Sequence, residues 1–160
     1  MIDDIDRQIL SIVQDCARTN NAEIARQVGM APSAVLERVR KLEKRGVISC
    51  YPARLNPRAL GLDLLAFVFV KTDETLARAS TGEELAAIPE VQEVHHVAGE
   101  DCYLIKIRAA GPAALGRLLR RKLGKIPSVV STRSTVVLET VKESGLLPLD
   151  ALPGDEDDDD

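Results

Sequence analysis

The sequence predicts an α+β protein in which a helix-turn-helix unit, winged-helix-like, precedes a ferredoxin-like βαββαβ sandwich. Three observations carry this. Apolar residues recur at helical spacing through the first fifty positions, in three short runs broken at Asn20-Asn21 and at Gly29 to Pro32. From residue 64 onward strand-like and helix-like stretches follow in the order β-α-β-β-α-β. Aromatic residues make up only 2% of the chain (Tyr51, Phe67, Phe69 and Tyr103, with no Trp), so any core must be built from Leu, Ile, Val and Ala.

In the first unit, residues 1–50, Asp3 is placed to cap a helix whose Ile5, Ile9, Ile12 and Val13 share one face. Asn20 or Asn21 caps a second helix over Ala22 to Val28, and Gly29 supplies the left-handed residue that ends it. Pro32 suits the first turn of a third helix running to Arg45, where Gly46 stops it. Val47 to Tyr51 reads as a short extended piece, and residues 51–62, with Asn56-Pro57 and Gly61, read as a linker. The second unit, residues 63–147, opens with a strand over Leu64 to Lys71 and a helix over about Glu74 to Ala87, closed by Pro89. Strands over Val91 to Val97 and Tyr103 to Arg108 follow, then a helix from Pro112 to Lys125 and a last strand from Val129 to Val141. Residues 148–160 form an acidic tail too polar to fold.

The chain has 160 residues and a formal charge of −4, but seven acids sit in its last eleven residues; without them the balance is +3. A 45% hydrophobic content gives enough apolar surface for a core. The longest apolar run, Leu64 to Val70, falls far short of the roughly 20 residues of a membrane span. The acidic Met1 to Asp6 does not resemble a secretory signal. Cys16, Cys50 and Cys102 are odd in number and scattered, which fits buried thiols rather than disulfides or a zinc site. No metal or cofactor is expected, and the expected location is cytoplasmic.

The third helix carries the most information. Val35, Leu36, Val39 and Leu42 form a packing stripe, while Ser33, Ala34, Glu37, Arg38, Arg40, Lys41, Lys44 and Arg45 occupy the other side. From Arg26 to Arg45 six cations face two acids. Pro32 and small residues at the helix start, with cations along its body, suit the major groove of double-stranded DNA, where Arg and Lys neutralise phosphates. The plainer reading is a solvated face with pairs such as Glu37 to Lys41.

Asp3-x-x-Asp6-x-x-Ile9-Leu10, Asn21 through Met30, Ala34 through Ile48, Leu55-Asn56-Pro57 and the loop Val97-Ala98-Gly99-Glu100-x-x-Tyr103-Leu104 together resemble the leucine-responsive/asparagine-regulator (Lrp/AsnC) transcription factors over about residues 2–147. The resemblance implies a transcriptional regulator, not an enzyme. Its second unit would be a regulatory domain of the RAM/AsnC type that dimerises through its sheet, assembles further, often to octamers, and binds a small effector, an amino acid, between subunits. The implied effector residues are Gly99, Glu100, Asp101, Cys102, Tyr103, Thr132 and Ser134. Two departures stand out. Ala31 replaces the serine usual before the proline, losing a cap worth of order 1 kcal/mol. Cys102 replaces the loop's usual second acid, with Asp101 or Glu100 as possible substitutes.

The residues also speak to alternatives. Both faces of the strand Leu64 to Val70 are apolar, whereas the helices can cover only one, so the other face calls for a second molecule; a homodimer is the simplest solution. Base stacking on that face would rest on Phe67 or Phe69 and Tyr103, with no basic motif around them. An enzyme of the same layout, like some tetrapyrrole decarboxylases, would have only His95, His96, Arg108 and Arg133 in the strands for a polyacidic substrate. A sensor with a vestigial DNA-binding part is a third reading. His95 and His96 point to opposite strand faces and cannot share a metal. The acidic tail favours solubility and has the charge to compete with DNA for the basic helices.

Overall fold

The computed structural model describes residues 2–73 and 81–149. The described residues of Met1–Arg54 and Lys142–Asp160 group into one compact unit, and those of Leu55–Val141 into a second.

The first unit is built on three helices. Helix α1, Asp4–Asp15, begins where the Asp3 carboxylate accepts the Asp6 amide at 2.8 Å. Helix α2, Asn21–Val28, begins in the same way on Asn20, whose side-chain oxygen accepts the Glu23 amide at 2.9 Å. It stops at Gly29, whose φ of 70° lies where a Cβ would cost about 1–2 kcal/mol. Helix α3, Pro32–Lys44, starts on Pro32 with Ala31 ahead of it, and no side chain caps it. Ile9, Leu10 and Val13 of α1, Ile24, Ala25 and Val28 of α2, and Val35, Val39 and Leu42 of α3 form one buried cluster. Leu36, expected on that stripe, is half-buried at its margin. Residues 47–51 are not part of any strand ladder.

The same unit takes in a segment from the far end of the sequence. The side-chain amide of Gln14 donates to the Leu147 carbonyl, and its oxygen accepts the Leu147 amide, both at 3.0 Å. Leu149 packs against the helical core. A groove of about 490 Å3 runs alongside, bordered by Leu10 and Val13 of α1, by Val47 to Tyr51 and by Leu146 to Leu149.

The second unit is a four-stranded antiparallel sheet of β1 (Leu64–Thr72), β2 (Val91–His96), β3 (Tyr103–Ala109) and β4 (Val129–Val136), in the order β2-β3-β1-β4. Helices α4 (Thr81–Ala86) and α5 (Pro112–Arg121) cover one face. There Leu64, Ala66, Val68 and Val70 of β1 and Ile105, Ile107 and Ala109 of β3 pack on Leu85, Ile88, Leu115, Leu118, Leu123 and Ile126. Thr81 and Ser128, both buried, satisfy each other through a hydroxyl pair at 2.8 Å.

Three boundaries differ from expectation. The strand expected to reach Val141 ends at Val136, because β1 begins at Leu64 and its partners run out: after the Ala66–Val136 pairing only the Val137 amide finds a carbonyl, that of Leu65. The helix expected to reach Lys125 ends at Arg121 and tightens into a 3₁₀ turn over Leu123–Lys125, since Gly124 is a weak helix former and Pro127 blocks continuation. The helix expected from Glu74 is present over Thr81–Ala86, and its first part lies outside the described residues.

Candidate nucleic-acid interface and effector loop

On α3, burial of Val35, Val39 and Leu42 turns the opposite side to solvent. Pro32, Ser33, Glu37, Arg40, Lys41, Lys44 and Arg45 are exposed there and Ala34 is half-buried. The expected set is therefore brought onto one surface, apart from Arg38. Among the described residues, Arg40, Lys41 and Lys44 enter no ion pair, and the plain pairing of Glu37 with Lys41 is not made. Arg7 and Arg26, by contrast, pair with acids of their own helices. Arg26 is held by Glu23 at 2.6 Å, and that guanidinium, with help from Gln27, draws the Glu23 carboxyl down to about 2.

Arg38 turns away from the exposed row. Its guanidinium donates to Asp3 at 2.6 Å and to Asp6 at 2.8 Å, joining α3 to the start of α1. The Asp6 side chain is 11% exposed, so Arg38 is the counter-charge of a nearly buried carboxylate. Asp3 serves twice, as helix cap and as ion-pair partner. The amide of Asp6 and then the Arg38 guanidinium hold its carboxyl below the usual range. Sequence reading set Arg38 among the phosphate-facing cations and missed this tie. The i,i+3 spacing of Asp3 and Asp6, which puts two carboxylates on one helix face, was the available signal.

In the second unit, the face of the sheet away from α4 and α5 carries Leu65, Phe67 and Phe69 of β1, flanked in register by Leu104, Lys106 and Arg108 of β3 and by Arg133 and Thr135 of β4. Phe67, Phe69 and Leu104 are only half-buried. Lys106 bonds Glu93 at 2.8 Å. Arg133 lies 4.2 Å over the Phe69 ring and donates to Asp101 at 3.0 Å. His95 faces this side, 3.3 Å from Glu93, while His96 stacks at 5.0 Å on Tyr103. No cluster of metal-binding side chains occurs among the described residues.

The loop between β2 and β3 turns at Gly99, with φ of 132°, and closes where the Val97 amide donates to the Cys102 carbonyl at 2.9 Å. Among the described residues, the amides of Gly99, Glu100 and Asp101 donate to no backbone carbonyl. Glu100 is exposed, whereas Asp101 is already engaged by Arg133. Cys102 is half-buried, its amide on the Val70 carbonyl at 3.0 Å. Tyr103 packs against the sandwich core, so close to α4 that a Cβ on Gly82 would sit 3.3 Å from its ring. Thr132 pairs across Val70 from Tyr103, and Ser134 lies two residues further along the exposed edge strand. Of the expected effector residues, Gly99 to Tyr103 and Thr132 thus fall at one end of the sheet, whereas Ser134 lies opposite Val68 near its middle. Arg133, which fixes Asp101, was absent from that set.

Two family models match the chain: winged helix-turn-helix DNA-binding over residues 2–49, and Lrp/AsnC ligand binding domain over residues 65–147. The chain belongs to the Lrp/AsnC family. It is 40% identical over 152 residues to the leucine-responsive regulatory protein of Escherichia coli, covering 91% of this chain and 90% of that one. Among solved structures, it matches a transcriptional regulator of Neisseria meningitidis in complex with L-methionine at a TM-score of 0.88 and 28% identity, over 94% of this chain and 98% of that one. It also matches a feast or famine regulatory protein of M. tuberculosis complexed with L-methionine, at 0.85 and 37%, over 92% and 99%. This Lrp/AsnC protein is a DNA-binding transcriptional regulator and not an enzyme, and the decarboxylase alternative falls away. No helix among its described residues is long and apolar enough to cross a membrane.

Replacing Arg38 by Ala strands Asp6 and is expected to destabilise the helical unit by about 1–3 kcal/mol, read by urea denaturation. The contribution of Asp3 has a defined pH window. Its folded pKa is depressed, so its stabilisation is complete above the unfolded value near 3.9 and is lost as pH falls through the lowered folded value. The stability gap between the natural chain and Asp3→Asn should accordingly close below about pH 4.

Proposed function

We propose that this regulator lays α3 along the DNA major groove as a symmetric homodimer or higher assembly, octamers included, and that a small amino acid bound between subunits at the 99–103 loop tunes that binding. One observation carries the DNA reading: Arg40, Lys41 and Lys44 stand exposed without acid partners while Arg26 and Arg38 are consumed internally. Pro32, Ser33 and Ala34 at the start of α3 approach base edges, and Glu37 sits between them and the cations. Arg38 sets the helix rather than meeting phosphate. Two such helices related by a two-fold axis read an imperfect palindrome. A DNA-bound regulator works where the DNA is, which keeps the protein in the cytoplasm.

The effector reading rests on the loop chemistry and on the two L-methionine complexes among the structural relatives. Amides of Gly99, Glu100 and Asp101 offer donors for a carboxylate, and Glu100 offers an acid for an ammonium group. With a cysteine at 102 in place of an acid and Asp101 held by Arg133, Glu100 takes that task, and Thr132 and Ser134 supply hydroxyls from the edge strand β4. The half-covered Phe67, Phe69 and Leu104 supply the apolar surface for dimerisation.

Lys41→Ala should weaken DNA binding and lower the slope of log K against log salt by about 1, with the fold unchanged by circular dichroism. An unaltered slope would remove Lys41 from the interface. In a thermal-shift screen of the twenty amino acids, a true effector at a hundredfold excess over Kd adds about 2.7 kcal/mol; twenty nulls would refute the amino-acid reading. Phe67→Asp should dissociate the dimer in sedimentation experiments while leaving the secondary structure intact, and a persisting dimer would move the contact off this face.

A further inference from the structure

We infer that the outward side of α5, with the turn that follows it, is a second contact for duplex DNA, gripping phosphates without reading sequence. The inference takes duplex DNA as the ligand of this regulator and adds a surface on the second unit to the one proposed on α3. From Cys102 to Leu138 the sequence holds eight cations and no acid. Across residues 55–141, 11 cations and 10 acids nearly balance, so the run is a segregation of charge within the unit. Folding concentrates it further. Leu115 and Leu118 of α5, with Leu123 and Ile126 beyond it, are buried in the sandwich core, which turns Arg117, Arg120, Arg121 and Lys125 to solvent. Arg117 and Arg121 stand one turn apart on the same side of the helix. The Arg120 guanidinium lies 3.5 Å from where a Cβ on Gly116 would stand. Lys122 takes up Glu90 at 2.7 Å. Among the described residues, Arg117, Arg120, Arg121 and Lys125 enter no ion pair.

A helix face that meets only water usually mixes its charges, because acids three or four residues from cations stabilise it and like charges at that spacing do the reverse. The helix dipole favours cations in the last turn, which accommodates Arg120 and Arg121 but not Arg117 before them. Four unpaired cations on so short a stretch call for an anion from outside. The row from Arg117 to Lys125 spans about 12 Å, and a duplex presents one negative charge per about 1.7 Å of its axis, so several phosphates face it at once. Three of the four cations are arginines, whose planar forks meet phosphate oxygens two at a time. An anionic membrane fits less well, since interfacial helices set bulky apolar residues beside their cations, whereas the leucines of α5 pack on the core. Single strands are held by stacking on aromatic rings, and α5 has none. A contact of this kind adds affinity and salt dependence without adding selectivity.

The test compares the full chain with three variants. Arg117→Gln with Arg121→Gln alters α5, and Lys41→Ala alters α3. Arg58→Gln with Lys71→Gln removes the same charge from exposed positions elsewhere on the second unit. Binding to a mixed-sequence duplex is measured from about 50 to about 200 mM salt. A dicarbonyl reagent selective for arginine then maps which side chains of the unaltered chain a saturating duplex shields. The α5 pair should bind about five- to twentyfold less tightly at the lowest salt, with a slope of log K against log salt smaller by about 2. The control pair should stay within about twofold of the unaltered chain. Duplex should shield Arg117, Arg120 and Arg121 from the reagent. Equal losses in the two pairs would reduce the effect to net charge and overturn the inference. So would unaltered binding by the α5 pair, or arginines that react as fast with the duplex present. Retention on vesicles of anionic lipid, with no shielding by duplex, would give the face to a membrane and overturn it as well. Loss of binding in Lys41→Ala alone leaves the α3 reading standing and removes α5 from the interface; loss in the α5 pair alone does the reverse.

Discussion

The exposed cationic face of α3 depends on how that helix is held from behind. Three apolar side chains, Val35, Val39 and Leu42, fix the helix to α1 and α2, but a hydrophobic stripe alone leaves rotation about the helix axis loosely set. The guanidinium of Arg38 removes that freedom by meeting two carboxylates on α1 at hydrogen-bond distance. Direction comes from charge geometry and adhesion from apolar burial. Because Asp6 is nearly buried, the tie cannot be given up without exposing a charge to a low-dielectric site. The outward face in this way carries Arg40, Lys41 and Lys44, which enter no ion pair among the described residues.

The second unit follows from a different constraint. A four-stranded sheet with two helices has one face too many. Burial of Val68, Val70, Ile105 and Ile107 under α4 and α5 accounts for the stability of the sandwich, whereas the Phe67–Phe69 face is provided with half-covered rings, a cation over one of them and ion pairs at its margin. Such a surface sets apolar rings among charged side chains. Charged side chains on a sheet also discourage indiscriminate pairing.

Much of this was legible in the residues. Asp3, Asn20, Gly29 and Pro32 each act locally, through a cap, a left-handed turn or a fixed φ, and local signals survive without knowledge of the fold. Element order and the inward stripes followed from periodicity. What escaped were contacts between residues distant in sequence. Arg38 with Asp3 and Asp6, Gln14 with Leu147, and Arg133 with Asp101 span 32 to 133 positions. No spacing rule links such pairs, and a cation looks the same in a sequence whether it meets a phosphate or a buried carboxylate. The strand end at Val136 escaped for a related reason, since a strand stops where its partner stops and not where its own propensity fades.

Arg133 shows what one side chain in two contacts entails. Its guanidinium covers Phe69 and at the same time holds Asp101 in the loop between β2 and β3. Any body that seats itself on Phe69 must either accept the guanidinium into the contact or push it aside, and in the second case Asp101 loses its arginine partner. By thermodynamic reciprocity, a ligand that prefers Asp101 unpaired then favours the covered ring by the same free energy. A single arginine with two rival attachments is therefore sufficient to couple the loop to the sheet face, without a hinge or a moving domain.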